Sequence, residues 1–206
     1  MRALIVHAHE NPNSFCSALA YSALDVLKKE GHDVQISDLY SLSFNPVGSK
    51  ADFKSSSNSE YYKYPMEQLH AARIDTFAED LKSEMKKLDH LELLVFNFPL
   101  WWYSMPAILK GWVDRVLAFG VAYGGEYGMG PNGRFKGARA MATITTGSPK
   151  DILPSSHKIL SNIHDGIFRL LGFEVLEPFI AYGVSRIDEA ERKELISQYE
   201  ITLKNL

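Results

Sequence analysis

Apolar residues form short runs along this chain, and the runs alternate with segments whose apolar positions have helical spacing. The runs at residues 3–7 and 91–99 are almost continuously apolar, which is typical of strands buried on both faces of a sheet. Residues 33–39 alternate between apolar and polar positions and predict a further strand. Residues 138–146 and 173–183 complete a set of five predicted strands.

Segments with helical periodicity separate these strands. Residues 15–30 carry regularly spaced apolar side chains, and Gly31 follows as a stop signal. A capping box is expected where the C-terminal helix begins, with Ser185 as its first residue and Asp188 three positions later. The remaining helices are predicted over residues 66–89, as one helix or two consecutive ones, over 106–119 with Pro106 in the first turn, and over 157–171, ending at Gly172.

This alternation of strands and helices predicts an α/β fold, a doubly wound parallel sheet with helices on both faces. The whole chain, residues 1–206, is predicted to form a single domain. Residues 42–65 are polar, rich in serine and without a strong period, so they predict an irregular surface excursion or lid. Ligands of such sheets lie beyond the carboxyl ends of the strands, so the loops that follow those ends are the candidate site.

Composition and charge exclude several classes of partner. Hydrophobic residues make up 46% of the 206 residues and the net charge is -3, so a core can form and no surface for nucleic acid is predicted. No run of about 18 apolar residues occurs, so no integral membrane segment is expected. Cys16 is the only cysteine and no signal peptide is recognisable, which together predict a cytoplasmic protein.

The first loop, HAHENPNSF, precedes a helix and combines His7, His9, Asn11, Asn13 and Ser14. Free N–H groups at a helix start attract phosphate, and a histidine can add a donor. The chain contains no P-loop motif, and this loop does not match the glycine fingerprint of dinucleotide-binding folds. A capped turn with solvent-exposed polar side chains is the alternative. A metal site is not predicted, because His7 and His9 alternate along a strand and no carboxylate cluster joins them.

Two further loops offer groups for a planar ligand. PLWWYSMP follows a predicted strand, and its Trp102 and Tyr103 provide faces on which an aromatic ring can stack, whereas Trp112 lies in a helical segment and favours the core. Residues 145–148, TTGS, supply hydroxyls and backbone N–H groups for heteroatoms at the edge of a ring, although they also fit an ordinary tight turn. Groups for phosphate, for a ring and for its polar edge together indicate a flavin site.

These residues resemble a known family. LIVHAHENPNSF, FNFPLWWYSMPAILKGWVDRV, ITTGS, GFEVLEP and AERKE stand in the order of the motifs of NAD(P)H:quinone oxidoreductases with the flavodoxin-like fold, and the resemblance runs nearly end to end. It implies a sheet of order 2-1-3-4-5 and a tightly bound FAD. It also implies a homodimer with active sites at the subunit interface, and a ping-pong, two-electron reduction of quinones by NADH or NADPH.

The resemblance also assigns individual cofactor contacts. The residues that match phosphate and adenosine contacts are His9, Ser14, Phe15 and Cys16, the last standing where mammalian members have Asn, together with Arg192 near the adenine. The residues that match the flavin-edge loop are Thr145, Thr146, Gly147 and Ser148. The residues that match the segment beside the isoalloxazine ring are Pro99, Leu100, Trp101, Trp102 and Tyr103. Within that segment, Trp101 is expected to point away, toward packing or an interface.

The substrate pocket and the catalytic group are assigned in the same way. Tyr123 matches an aromatic residue that lines the partner subunit's pocket, and Tyr127 is placed in the pocket with it. Mammalian members carry a Tyr and a His after the flavin-edge loop, proposed to stabilise charge during hydride transfer. Here that segment is shorter and has no Tyr, so His157 is the one candidate for a catalytic counterpart. Backbone N–H groups at a helix start could serve instead.

Three functional alternatives stay open. The chain fits a quinone reductase that uses FAD, or a reductase of azo or nitro compounds that uses FMN. A flavin-binding regulatory partner of a potassium efflux system is the third interpretation. The excursion contributes to the dimer in the family, and Lys63 could reach the neighbouring subunit's cofactor.

Overall fold

Six strands form one parallel sheet within residues 1–58 and 60–206, the part of the chain that the computed structural model describes. They are β1 (Arg2–His7), β2 (Asp33–Asp38), β3 (Leu93–Pro99), β4 (Arg139–Thr145), β5 (Glu174–Val175) and β6 (Phe179–Ala181). The order is β2-β1-β3-β4-β5, with β6 also paired to β4. The predicted flavodoxin-like order is therefore confirmed.

The prediction of a single last strand over residues 173–183 is wrong. β5 and β6 both run parallel to β4, but they are separate short strands. Pro178 lies between them, and a proline has no N–H with which to continue the ladder of hydrogen bonds.

Helices cover both faces of the sheet. They are α1 (Phe15–Lys29), α2 (Tyr64–Ile74), α3 (Glu79–Lys86), α4 (Ala107–Val116), α5 (Ser156–Ile163) and α6 (Glu189–Lys204). The segment predicted as one or two helices is thus two, and α5 continues into a π-helical turn, His164–Arg169. Within the described residues, no helix is both long and apolar enough to cross a membrane.

The alternation of side chains along the strands divides the core in two. Leu4 and Phe96 belong to a cluster that packs against α2, α3, α4 and α5, whereas Ile5 and Val95 belong to a cluster under α1 and α6. Successive residues of a strand point to opposite faces, so each strand contributes to both clusters. This arrangement places the N-terminus of α1 at the carboxyl edge of the sheet, directly after β1.

The expected capping box at Ser185 and Asp188 is wrong. Asp188 is itself the first residue of the box, and its side chain accepts from the N–H of Glu191 at 2.8 Å. The helix begins later because the preceding residues are held against the loop after β4: Val184 N–H donates to the carbonyl of Thr146 at 3.0 Å.

The described residues of the excursion contain a short 3₁₀ turn at Lys50–Asp52, and α2 already begins at Tyr64. Ser59, within it, lies outside the described residues. A buried ion pair fixes this segment to the core: the guanidinium of Arg115 on α4 donates to Asp52 at 2.8 Å. Tyr64 donates to the same carboxylate at 2.5 Å.

Candidate active site

Three loops meet at the carboxyl edge of the sheet, following β1, β3 and β4. Ala8 N–H donates to the carbonyl of Asn97 at 3.0 Å, which joins the first loop to β3. Leu100 N–H donates to the carbonyl of Thr145 at 2.8 Å, which joins the second loop to the third. The structure therefore brings together the three loops that the sequence singles out.

The first loop ends at the N-terminus of α1. Ser14 caps the helix, and its Oγ accepts from the N–H of Ser17 at 3.0 Å. The N–H groups of Phe15 and Cys16 have no acceptor within the described residues, and the first turn contains no acidic side chain. His9 Nδ1 accepts from Asn11 N–H at 3.0 Å, which leaves its Nε2–H as a donor. These groups suit an anion such as phosphate.

The second loop is a tight turn built around two aromatic residues, here called the aromatic turn (residues 101–104). Trp101 and Ser104 exchange backbone hydrogen bonds of 3.0 and 2.9 Å. Trp102 and Tyr103 have φ of 51° and 55°, a left-handed conformation that such turns normally give to Asn and Gly. The side chain of Trp102 is 100% exposed and that of Tyr103 is half-exposed. The turn thus presents aromatic faces to the outside at a cost in backbone strain.

The other two tryptophans take different positions. Trp112 is buried as predicted, and its Nε1–H donates to the buried carboxylate of Glu84 at 2.9 Å, so its role is structural. Trp101 is half-exposed and lies outside the core.

The third loop is anchored at its start and open at its tip. Thr145 and Thr146 are buried, and the N–H of Thr146 donates to the carbonyl of Ala181 on β6 at 2.9 Å. Gly147 is exposed, and a side chain there would meet only Ser185 Oγ, at 3.6 Å. The edge of a planar ligand can therefore approach the backbone at this position. Ser148 N–H donates to Thr146 Oγ1 at 3.1 Å and fixes the turn.

A buried polar layer underlies the first loop. It includes His7, which the sequence places among the polar residues of the loop itself, together with Asn97 and Ser17, which sequence reasoning missed. His7 Nδ1 and Asn97 Oδ1 lie 2.6 Å apart, and His7 Nε2 lies 3.0 Å from Ser17 Oγ. Asn97 Nδ2 is buried and has no partner within the described residues. The one signal in the sequence is that Asn97 interrupts an otherwise apolar strand. A buried donor without an acceptor at the edge of the site is consistent with a polar ligand there.

Burial controls the titration of this layer. It lowers the pKa of His7 from 6.5, although the hydrogen bond with Asn97 opposes the change. It raises the pKa of the Cys16 thiol to about 12. The thiol faces Asn97 Oδ1 at 3.4 Å, so Cys16 can offer a ligand its backbone N–H but not a reactive thiolate.

Phe15 and Arg192 come together at the outer end of α1. The Arg192 guanidinium lies 5.4 Å from the centre of the Phe15 ring, and its Nη2 donates to the carbonyl of Val184 at 2.6 Å. A stacked arginine and aromatic ring offer a surface for a second planar group next to the anion-binding N–H groups.

The predicted substrate and catalytic residues lie outside the three loops. Tyr123 packs on Phe119, with ring centres 5.4 Å apart. Tyr127 lies over the Arg134 guanidinium, and Arg134 pairs with Asp89 near the amino ends of the strands. His157 is exposed in the first turn of α5. The structure does not bring Tyr127 into the site of its own chain.

The described residues do not form a cluster of metal ligands at this site. Among the described residues, no group of three or more His, Cys, Asp or Glu side chains could hold a metal ion. The three loops instead combine N–H donors, hydroxyls and exposed aromatic faces, which fit the phosphate, the heteroatom edge and the ring of a flavin.

Comparisons with known proteins agree with this geometry. A family described by its flavodoxin-like fold matches residues 1–203. The chain is 36% identical to NAD(P)H dehydrogenase (quinone) 1 of Cavia porcellus, covering 100% of the chain and 77% of that protein. It is 34% identical to ribosyldihydronicotinamide dehydrogenase (quinone) of Homo sapiens, covering 100% and 91%. A Klebsiella pneumoniae structure assigned to the quinone reductases superposes with a TM-score of 0.91 at 33% identity, covering 99% and 84%.

Proposed function

The chain belongs to the flavodoxin-like family of NAD(P)H:quinone oxidoreductases, and from that premise we propose that it binds FAD and acts as a homodimer. Its activity is the flavin-dependent reduction of quinones by NAD(P)H. A flavin held by the three loops would supply the redox chemistry, which is hydride transfer from NAD(P)H to the quinone. Such an exchange gives ping-pong kinetics with two-electron steps.

The aromatic turn is the observation that carries this proposal. A fully exposed Trp102 in a strained backbone conformation is costly unless a ligand or a partner covers it. Leu100, which precedes the turn, is hydrogen-bonded to Thr145 at the start of the loop after β4, so we assign Gly147 and Ser148 to the edge of a ring that stacks on the turn. We assign the isoalloxazine to this position.

The remaining cofactor groups follow from the same placement. The N–H groups of Phe15 and Cys16 and the Nε2–H of His9 are assigned to the phosphates. The stacked pair of Phe15 and Arg192 is assigned to the adenine, which favours FAD over FMN because FMN has no second planar group. The protein's part in the reaction is to hold these groups in position and to exclude water.

Exposed apolar side chains in and next to the excursion support a homodimer. Val47, Tyr61 and Met66 are exposed to 63%, 64% and 47%, and lie in or next to residues 42–65. Tyr123 is assigned to the partner's substrate pocket, and Tyr127 is proposed as a further pocket residue contributed across the interface. Lys63 is assigned to the partner's cofactor. Contribution across the interface would account for the position of Tyr123 and Tyr127, which lie outside the flavin loops of their own chain.

His157 is proposed to balance charge during hydride transfer, with N–H groups at the start of α5 as the alternative. A cytoplasmic location is proposed as well, since a single unpaired cysteine favours a reducing compartment.

The test combines cofactor identification with steady-state kinetics. Protein purified with its flavin is heated, the released flavin is separated by chromatography, and oxidation of NADH and NADPH is followed with menadione as acceptor. We expect FAD and menadione turnover far above the buffer background. FMN with rapid turnover of azo dyes would favour the azoreductase alternative. Bound flavin with turnover at background would favour a regulatory partner.

A further inference from the structure

A cavity of about 350 Å³ lies between the aromatic turn and α5. Tyr103 forms one wall, and the other walls are Pro154, Lys158, Ile159, Ser161 and Asn162. Tyr103 belongs to the turn assigned above to the flavin ring. The cavity therefore lies where an electron acceptor can approach that ring, and its role as an acceptor site rests on the proposed function.

The wall of the cavity carries a positive charge. Lys158 is the one charged residue of its wall, and the other lining residues are neutral. Within the described part of the chain, no carboxylate lies within ion-pair distance of the Lys158 ammonium. A cation without a protein counter-ion at the wall of a cavity attracts an anionic ligand group.

The structure distinguishes Lys158 from its neighbour His157, the residue that the resemblance favours. Adjacent residues of a helix point about 100° apart, and only Lys158 of the two lines the cavity. The charged group at the wall of this cavity is thus the ammonium of Lys158.

We propose that Lys158 determines acceptor specificity and makes planar aromatic electrophiles that carry a sulfonate or carboxylate the favoured substrates. The ring of such a molecule packs between Tyr103 and the apolar side chains of Pro154 and Ile159. Its anionic substituent pairs with the Lys158 ammonium, and Ser161 and Asn162 offer hydrogen bonds beside it. Neutral quinones use the same walls without the ion pair.

Kinetics with a matched pair of acceptors test this. The ratio of kcat/KM for 1,4-naphthoquinone-2-sulfonate to that for 1,4-naphthoquinone is measured in the wild type, Lys158→Met and Lys158→Glu. We expect the ratio to fall about three- to tenfold in Lys158→Met and further in Lys158→Glu, and to decrease with salt in the wild type only. Lys150→Met, in the loop before α5 and outside the cavity wall, is the control and keeps the wild-type ratio.

A binding measurement separates this proposal from the proposed function. Titration of the protein with naphthalene-2-sulfonate and with 2-naphthol, followed by tryptophan fluorescence, requires no turnover. Preference for the sulfonate that disappears in Lys158→Met supports the proposal even if no acceptor is reduced. Equal binding of the two ligands by the wild type, or a sulfonate preference that Lys158→Met retains, overturns it even if menadione turnover is rapid.

Discussion

Arg192 of α6 stacks on Phe15 of α1, with 5.4 Å between the guanidinium carbon and the ring centre. The contact joins α6 to the first residue of α1, next to the free N–H groups at the N-terminus of that helix. In the cofactor placement proposed above, the pair would contact the adenosine group of FAD, which FMN does not have.

Arg192→Ala and Phe15→Leu should weaken FAD binding more than FMN binding. We expect a loss of about 3- to 30-fold in FAD affinity, the size of a stacked cation–π contact, with little change for FMN. Calorimetric titration of the apoprotein with both flavins measures the difference. Arg186→Ala, an exposed arginine near the start of α6, is the matched control. An equal loss for the two flavins would show that the pair acts only on the fold.

Relieving the backbone strain of the aromatic turn should raise the stability of the protein and lower its activity. Replacing Trp102 and Tyr103 together by Asn and Gly fills both left-handed positions with residues that adopt them readily. We expect the free energy of unfolding of the apoprotein to rise by about 1–3 kcal/mol and quinone turnover to fall at least tenfold. Urea unfolding and menadione kinetics measure the two effects. A less stable apoprotein would contradict the assignment of strain to these residues, and Trp101→Phe, outside the left-handed pair, serves as the control.

The buried ion pair of Asp52 and Arg115 should hold the excursion in place. Asp52→Asn leaves the Arg115 guanidinium buried with only the more exposed Asp80 carboxylate, 3.5 Å away, as a charged partner. We expect a loss of about 3–5 kcal/mol in the free energy of unfolding, and faster hydrogen exchange over residues 42–65. Lys193→Met breaks an exposed pair with Glu189 and should cost less than about 1 kcal/mol. Similar losses in the two variants would count against the anchoring role.

His7 should make stability depend on pH in the acidic range. Burial lowers its pKa in the folded state below 6.5, so between the two values the unfolded chain binds the proton and the folded chain does not. Stability is therefore complete above about pH 6.5 and falls as the pH decreases, by up to about 1.4 kcal/mol per pH unit. Urea unfolding at pH 7.5 and 5.5 measures this fall.

His7→Gln should reduce that fall. His164 also has a lowered pKa through burial, so His164→Gln is measured in parallel to separate the two contributions. An unchanged pH dependence in His7→Gln would contradict the prediction.

Most of the fold could be predicted from the sequence. Continuous apolar runs such as LIV and LLVF are buried on both faces only inside a parallel sheet, and the alternation with helices leaves few topologies. The three functional loops could also be located, because they follow strands whose carboxyl ends must share one edge. Ser14, the aromatic turn and TTGS could be recognised because each is formed by residues that are adjacent in the sequence.

Only the tertiary structure decided how distant residues meet. The contact of Arg192 with Phe15, the layer of His7, Asn97 and Ser17, and the choice of Lys158 over His157 for the cavity wall depend on how helices pack on the sheet. Hydrogen bonds between the loop after β4 and residues 183–184 moved the start of α6 to Asp188, against the local signal at Ser185. Such tertiary contacts stabilise one arrangement of the chain by more than the local conformational preferences do. They therefore decide the structure wherever the two disagree.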